Sequence, residues 1–284
     1  MTPEDVDAVV CTMNSISSIE QCLMSLRESQ VGSIIVVDAH SSDGTREIAE
    51  TLADKVLGDP GMGLGNARNV GIAATTLPLV LNIGSDNVLP PDQLPAMIEA
   101  LNSENHDGVS ARTMVVGEGY VSRCMAAWRD ARFRSGVVSV IGTPTLFRGE
   151  MLRGHPFDSS AQHSDDSELC ERWARQFGST FAISDAFVFE IGKADWQEIR
   201  TRTRNYGVSD AETLRRGRAA GWSTKRQVQS IAHPAKVDLL QPVVRLPKRQ
   251  ALTVAPFLLT FTGLRYWHWT QAVMKREKNF ADNQ

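Results

Sequence analysis

Ile34-Ile35-Val36-Val37 stops abruptly at Asp38, and Ala39-His40-Ser41-Ser42-Asp43-Gly44-Thr45 follows before a helix-like segment from Arg46. A short apolar run bounded by turn residues reads as a buried strand. Its last act is to deliver a carboxylate into a loop rich in Ser and Thr. In an open α/β sheet, ligands bind outside the carboxyl ends of the strands. The pattern recurs where Leu79-Val80-Leu81-Asn82-Ile83 gives way to Gly84-Ser85-Asp86-Asn87. Two acids presented by two strand ends predict a polar ligand with a metal beside it.

Strand and helix signals alternate through the first part of the chain. Strands are expected at Val6 to Thr12, Ile34 to Val37, Lys55 to Leu57 and Leu79 to Ile83. Helices are expected at Ile19 to Ser29, Thr45 to Leu52, Asn66 to Ala74 and Asp92 to Leu101, the last opened by Pro90-Pro91. Such alternation predicts an α/β fold whose central sheet is mainly parallel and flanked by helices. Later segments read as strands over Val109 to Val116, Val137 to Phe147 and Thr180 to Ile191. Helices are expected over Val121 to Phe133, Ser167 to Phe177 and Asp195 to Arg218. From Pro234 the chain reads as a proline-punctuated tail ending in an aromatic segment.

The 284 residues suffice for one large α/β domain with an appendage. No window approaches the roughly 20 apolar residues of a membrane span, and the acidic, polar start from Met1 to Asp7 does not read as a secretory signal. The scattered cysteines Cys11, Cys22, Cys124 and Cys170 form no Cys-x-x-Cys pair, which predicts reduced thiols in the cytosol. Charge is strongly asymmetric. Residues 1–199 hold 14 Lys/Arg against 28 Asp/Glu, and residues 200–284 hold 16 against 5. The basic end either faces an anionic partner or balances an acidic body.

Taken singly, the motifs are weak. Asp38 can accept from a ribose or a base N–H, or simply shape a turn. A dinucleotide-binding fold needs Gly-x-Gly-x-x-Gly after the first strand. Thr12-Met13-Asn14-Ser15 stands there instead, and Gly61-x-Gly63-x-Gly65 has the wrong spacing. Arg68, at a helix start after that glycine loop, suits a diphosphate or a solvent-exposed helix face. Asp86 suits a hard cation such as Mn²⁺ or Mg²⁺ shared with phosphate oxygens, or an Asx turn. His155, His163, Asp165 and Asp166 admit a metal-hydrolase reading, although His163-x-Asp165 lacks the i, i+4 spacing of helical metal pairs.

Together the motifs are more specific. Cys11-Thr12-Met13-Asn14, then Val37-Asp38-x-x-Ser41-x-Asp43-Gly44-Thr45, Ala67-Arg68-Asn69-x-Gly71 and Ser85-Asp86-Asn87 resemble the inverting family 2 glycosyltransferases. The resemblance covers the first 100 residues or so and continues more thinly through Phe147-Arg148-x-Glu150, Pro156-Phe157-Asp158 and Asp165-Asp166-x-Glu168-Leu169-x-x-Arg172. It implies a GT-A-type nucleotide-binding fold and a nucleotide-diphosphate sugar donor. It implies donor contacts from Thr12, Asn14, Asp38, Ser41, Arg68, Asn69, Ser85, Asp86 and Asn87, with Mn²⁺ or Mg²⁺ on Asp86. The catalytic base would be Asp166, with Asp165 beside it. Where many members carry Asp-x-Asp, Gly84 replaces the first acid, which predicts weaker metal binding.

The expected organisation is a catalytic domain over residues 1–222, divided into a nucleotide-sugar half (1–104) and an acceptor half (105–222), then a basic, aromatic, helical C-terminal segment over 223–284. Arg148, Arg200 and Arg204 are candidates for acceptor or phosphate contacts, within a run that includes Arg202, Arg215, Arg216 and Arg218. Ala251 to Leu264 is apolar, broken by Pro256, and followed by Tyr266-Trp267-His268-Trp269 and Lys275-Arg276. That segment suits a membrane interface or packing on the catalytic domain or a second subunit. The expected activity is sugar transfer, with inversion, to a hydroxyl of a glycan or lipid-linked acceptor in polysaccharide biosynthesis. It would take place in the cytoplasm or at the inner face of the membrane, without nucleic acid. A non-catalytic nucleotide-sugar-binding scaffold and a metal-dependent hydrolase or nucleotidyltransferase are the alternatives.

Overall fold

The computed structural model describes residues 1–159, 165–192 and 194–281, without the side chains of 165 and 275–281. Two compact units emerge: residues 1–116 with 133–192, and residues 117–132 with 193–284.

In the first unit, β1 (Val6–Thr12), α1 (Ile19–Glu28), β2 (Ser33–Asp38), α2 (Thr45–Leu52), β3 (Lys55–Gly58), α3 (Leu64–Ala73) and β4 (Leu79–Gly84) alternate as their periodicity predicts. They place β3-β2-β1-β4 side by side, all parallel. β5 (Asn87–Val88), α4 (Gln93–Ser103) and β6 (Gly108–Val116) follow. Beyond residues 117–132, which belong to the second unit, come β7 (Gly136–Val138), β8 (Thr145–Arg148), α6 (Gly149–Gly154), α7 (Asp165–Phe177) and β9 (Phe181–Ile191). β8 runs antiparallel between β4 and β6 and closes the parallel block. The single strand expected over 137–147 is thus two strands with different partners, since β7 pairs with β9. Pro144 supplies no N–H for a ladder, so the strand breaks before it.

Alternation along β1 builds two cores, one on each face of the sheet. Val6, Ala8 and Val10 join Leu23, Leu26, Leu94 and Leu101 on one face. Val9 faces Ile72, Phe147, Trp173 and Phe181 on the other. α3 lies very close to the second face: a Cβ on Gly71 would fall 2.4 Å from Val9 Cγ1.

The second unit is helical. It comprises α5 (Tyr120–Arg132), α8 (Trp196–Ala219), α9 (Thr224–Pro234), a π-helical turn (Ala235–Leu240), α10 (Gln241–Arg245) and α11 (Lys248–Ala281). Asp195 caps α8, its carboxylate accepting the Glu198 N–H at 2.8 Å. The C-terminal segment is helical as expected, and the apolar stretch expected to break at Pro256 runs on within α11. Pro256 does not interrupt α11 because the helix exposes that side, where water can reach the Leu252 carbonyl that proline leaves without a donor.

Candidate active site

Thr12 ends β1, Asp38 ends β2, and the two are register partners. Cys11 pairs with Gly84 at the end of β4, so residues 84–87 open on the same sheet edge. Asp38 is buried. Its Oδ2 accepts the Ser41 N–H at 3.2 Å and lies 3.9 Å from the Arg46 guanidinium. Its Oδ1 has no hydrogen-bond partner among the described residues, and neither has the buried hydroxyl of Thr12. Buried polar atoms are nearly always paired, so two adjacent bare oxygens at a sheet edge define a place for a ligand's donors.

The loops around them are tied together. The Asn14 N–H donates to Ser41 Oγ at 2.8 Å, and the Ser42 N–H donates to Asn14 Oδ1 at 3.0 Å. Ser15 N–H donates to Thr45 Oγ1 at 2.7 Å, and the Ser15 and Ser85 hydroxyls are 3.0 Å apart. Asp43 accepts from the Thr45 hydroxyl at 2.6 Å and from the Ile16 N–H at 3.1 Å. These bonds, the Thr45 hydroxyl foremost, hold its carboxyl below the usual aspartate range. Asn14, Ser41 and Ser85 are therefore brought to the site as the braces of its rim.

Asp86 follows in the turn after β4, its Oδ1 accepting from Asn87 Nδ2 at 3.2 Å. Its backbone carbonyl accepts the Ile191 N–H at 2.8 Å. A Cβ at Gly84 would lie 2.7 Å from Asp86 Oδ1. The space beside position 84 is thus taken by the one carboxylate this motif retains. No three His, Cys, Asp or Glu side chains converge among the described residues. A hard cation at Asp86 would draw most of its ligands from diphosphate and water.

A second cluster joins residues far apart in sequence. Arg68, buried on α3, donates to Asp166 Oδ1 at 2.9 Å and to the Thr143 hydroxyl. Its guanidinium lies 5.2 Å from the centre of the Phe157 ring. Asn69 bridges the Phe157 backbone, donating to its carbonyl at 2.8 Å and accepting its N–H at 3.0 Å. It holds the segment leading to Asp166. The side chain of Asp165, and His163, lie outside the described residues.

Arg148 does not join these clusters. Arg148 pairs with Leu79 at the start of β4, the opposite end of that strand from Asp86. Its guanidinium donates to the carbonyls of His106 and Leu101 and to Asn105 Oδ1. The guanidinium expected to contact acceptor or phosphate is thus engaged by the backbone at the far end of β4. Arg200 and Arg204 lie on α8 in the second unit.

Four residues escaped the sequence reading. Arg46 was legible only as a helix start, and Thr143 carried no signal at all. Asn82 and its register partner Thr145 are buried with side-chain polar atoms unpartnered among the described residues. Asn82 was visible as the one polar residue inside an apolar strand.

The first unit thus carries acids at the ends of its parallel strands, with the Asp166 carboxylate paired to the Arg68 guanidinium. The profile of glycosyl transferase family 2 matches residues 7–148. The chain belongs to that family. It is 33% identical over 183 residues to EpsH of Bacillus subtilis (strain 168), covering 57% of this chain and 53% of EpsH. It is 27% identical over 185 residues to the succinoglycan biosynthesis protein ExoA of Rhizobium meliloti (strain 1021), covering 57% and 55%. The chain therefore spans about half the length of these relatives. Among solved structures it is similar to S. aureus TarS 1–349 in complex with UDP-GlcNAc, with a TM-score of 0.53 and 15% identity over 98% of this chain and 92% of that one. At that identity the likeness is one of fold.

Proposed function

We propose that this chain transfers a sugar from a nucleoside-diphosphate sugar to a hydroxyl of a glycan or lipid-linked acceptor, with inversion at the anomeric carbon. The observation that carries this is the pair of buried, unpartnered oxygens at Thr12 and Asp38 on adjacent strand ends. They accept from a nucleoside's N–H and O–H groups and anchor the donor at the sheet edge. Family membership supports the reaction class. The binding of UDP-GlcNAc by TarS supports the donor class, and the name of ExoA supports a polysaccharide product.

In this reading Arg68 binds the diphosphate and Asp166 takes the proton of the acceptor hydroxyl, whose oxygen attacks from the face opposite the leaving group. A positioned base of this kind contributes about 100-fold or more. Before the donor arrives, Arg68 and Asp166 hold each other. An incoming diphosphate competes for the guanidinium and releases the carboxylate, so donor binds before acceptor. Asp86, with Ser85 and Asn87 beside it, would hold Mn²⁺ or Mg²⁺, which when bound neutralises charge on the departing diphosphate.

A thermal-shift panel of nucleoside diphosphates and nucleotide sugars, with and without Mn²⁺, tests the site, because a ligand bound only by the native state raises Tm. The expected outcome is stabilisation by one nucleoside diphosphate, strengthened by metal. No shift at saturating ligand and metal would overturn the donor site. Incubation of the stabilising donor with acceptor then separates the reactions: nucleoside diphosphate release that needs acceptor supports transfer. Inorganic phosphate release identifies a hydrolase, and no turnover identifies a scaffold.

A further inference from the structure

We propose that the outward face of α11 docks in the plane of an anionic lipid surface. This inference goes beyond the transfer reading and stands without it. Inward, α11 packs Val254, Phe257, Leu258 and Phe261 into the core of the second unit, where Phe261 lies 5.1 Å from the Trp128 ring. Outward, Leu252, Pro256, Leu259, Gly263 and Trp267 recur every three or four residues, and Met274 follows two turns on, past the exposed Thr270. That spacing draws one stripe along the helix, about 33 Å long at 1.5 Å per residue. Leu252, Leu259, Trp267 and Met274 are 77%, 59%, 60% and 54% exposed. A surface helix that buries one apolar face normally turns a polar face outward. α11 instead carries a second apolar stripe outward, flanked by Thr253, Thr260 and Thr270, whose hydroxyls donate to carbonyls of the helix itself, as suits a helix between a protein core and a second apolar phase.

Charge decides what that phase is. Lys248 and Arg249 are exposed at the start of the helix, and no Asp or Glu occurs from 248 to 274. Residues 200–284 hold 16 Lys/Arg against 5 Asp/Glu. The exposed charges among the described side chains of α11, Lys248 and Arg249, are both positive, so the α11 face of a second copy would bring no acid from residues 248–274 to answer them. Anionic headgroups answer them, while the stripe enters the acyl boundary and Trp267 occupies the interface that amphipathic rings prefer. No described helix is long and apolar enough to cross a membrane, so α11 lies along the surface.

Co-sedimentation of the full chain with phosphatidylcholine vesicles, with and without phosphatidylglycerol, tests this. Expected is partition onto the phosphatidylglycerol vesicles that weakens with salt. Leu259→Glu and Trp267→Glu should each lower it about tenfold or more, since each trades buried apolar area for a charge repelled by the surface. Lys248→Glu with Arg249→Glu should abolish the preference for anionic lipid. Far-UV melting curves like the parent's will show that the variants fold, since all four side chains point outward. Absence of vesicle binding by the parent, or undiminished binding by Leu259→Glu, overturns the proposal. So does a dimer in light scattering that Leu259→Glu dissociates, which would give the face to a second copy. Vesicle binding is read without donor or acceptor, so failure of the transfer reading leaves the result standing.

Discussion

Asp38 holds a carboxylate in the protein interior with one oxygen satisfied by Ser41 and the other bare. Such an arrangement costs stability unless a ligand supplies the missing donor. Asp38→Asn keeps the shape and removes the charged acceptor. Nucleoside-diphosphate affinity should fall about 10- to 100-fold by calorimetry, as expected for a lost charge-assisted hydrogen bond. An unchanged Kd would place the nucleoside elsewhere. Asp166→Asn separates binding from chemistry. Turnover should fall about 100- to 10,000-fold, while nucleoside-diphosphate binding stays equal or tightens because the pairing with Asp166 no longer competes for Arg68. Asp43 links the rim to pH. Its carboxyl is held low, foremost by the Thr45 hydroxyl. Its contribution is therefore fully present above the ordinary aspartate pKa of about 3.9 and is lost as pH falls through the lower folded value. The Tm difference between parent and Asp43→Asn should be constant from neutral pH down to about 5 and vanish in stronger acid.

At the scale of elements, α3 shows how a backbone detail sets a side chain. Gly71 lets the helix lie against Val9 and Val37, and Arg68 stands one turn earlier on the same helix. A methyl group at 71 would meet Val9 Cγ1 at 2.4 Å, so the helix must lift. Gly71→Ala should cost about 1–3 kcal/mol, lowering Tm by several degrees, and should weaken diphosphate binding by moving Arg68. A Tm at or above the parent's would show that the helix adjusts freely. The same elements mark what was legible beforehand. The strand ends at Thr12, Asp38 and Asp86 were readable because a short apolar run must be buried and the first polar residues after it must leave the core. The partners of Asn69 and Arg148, the Phe157 backbone and the carbonyls near His106, were not legible, because they are set by folding and no local pattern encodes them. Thr143 approaches Arg68 across 75 residues of sequence, and no local pattern encodes that meeting.

At the scale of the whole molecule, the two units are built on different physics. The first rests on two apolar cores around a sheet. The second places an ionic network at its centre: Asp238, fully buried in the π-helical turn, accepts from Arg265 at 2.6 Å and from Arg132. Arg265 also grips Asp210 with two bonds of 2.6 and 2.7 Å. Three separate helices and the turn thus meet on one carboxylate pair. Breaking a buried ionic network by removing one partner costs about 3–5 kcal/mol, because each charge left behind loses one of its partners. Asp238→Ala leaves Arg132 and Arg265 facing each other across the vacated site. Amide exchange should accelerate in α8 and α11, whose packing depends on that junction, while β1, β2 and β4 keep their protection, because their core is filled by residues 1–116 and 133–192. Loss of protection in β1 and β4 as well would show that the sheet draws its stability from the helical unit. Unchanged exchange in α11 would show that the network is dispensable and that the apolar contacts of Phe257 and Phe261 hold the helix by themselves.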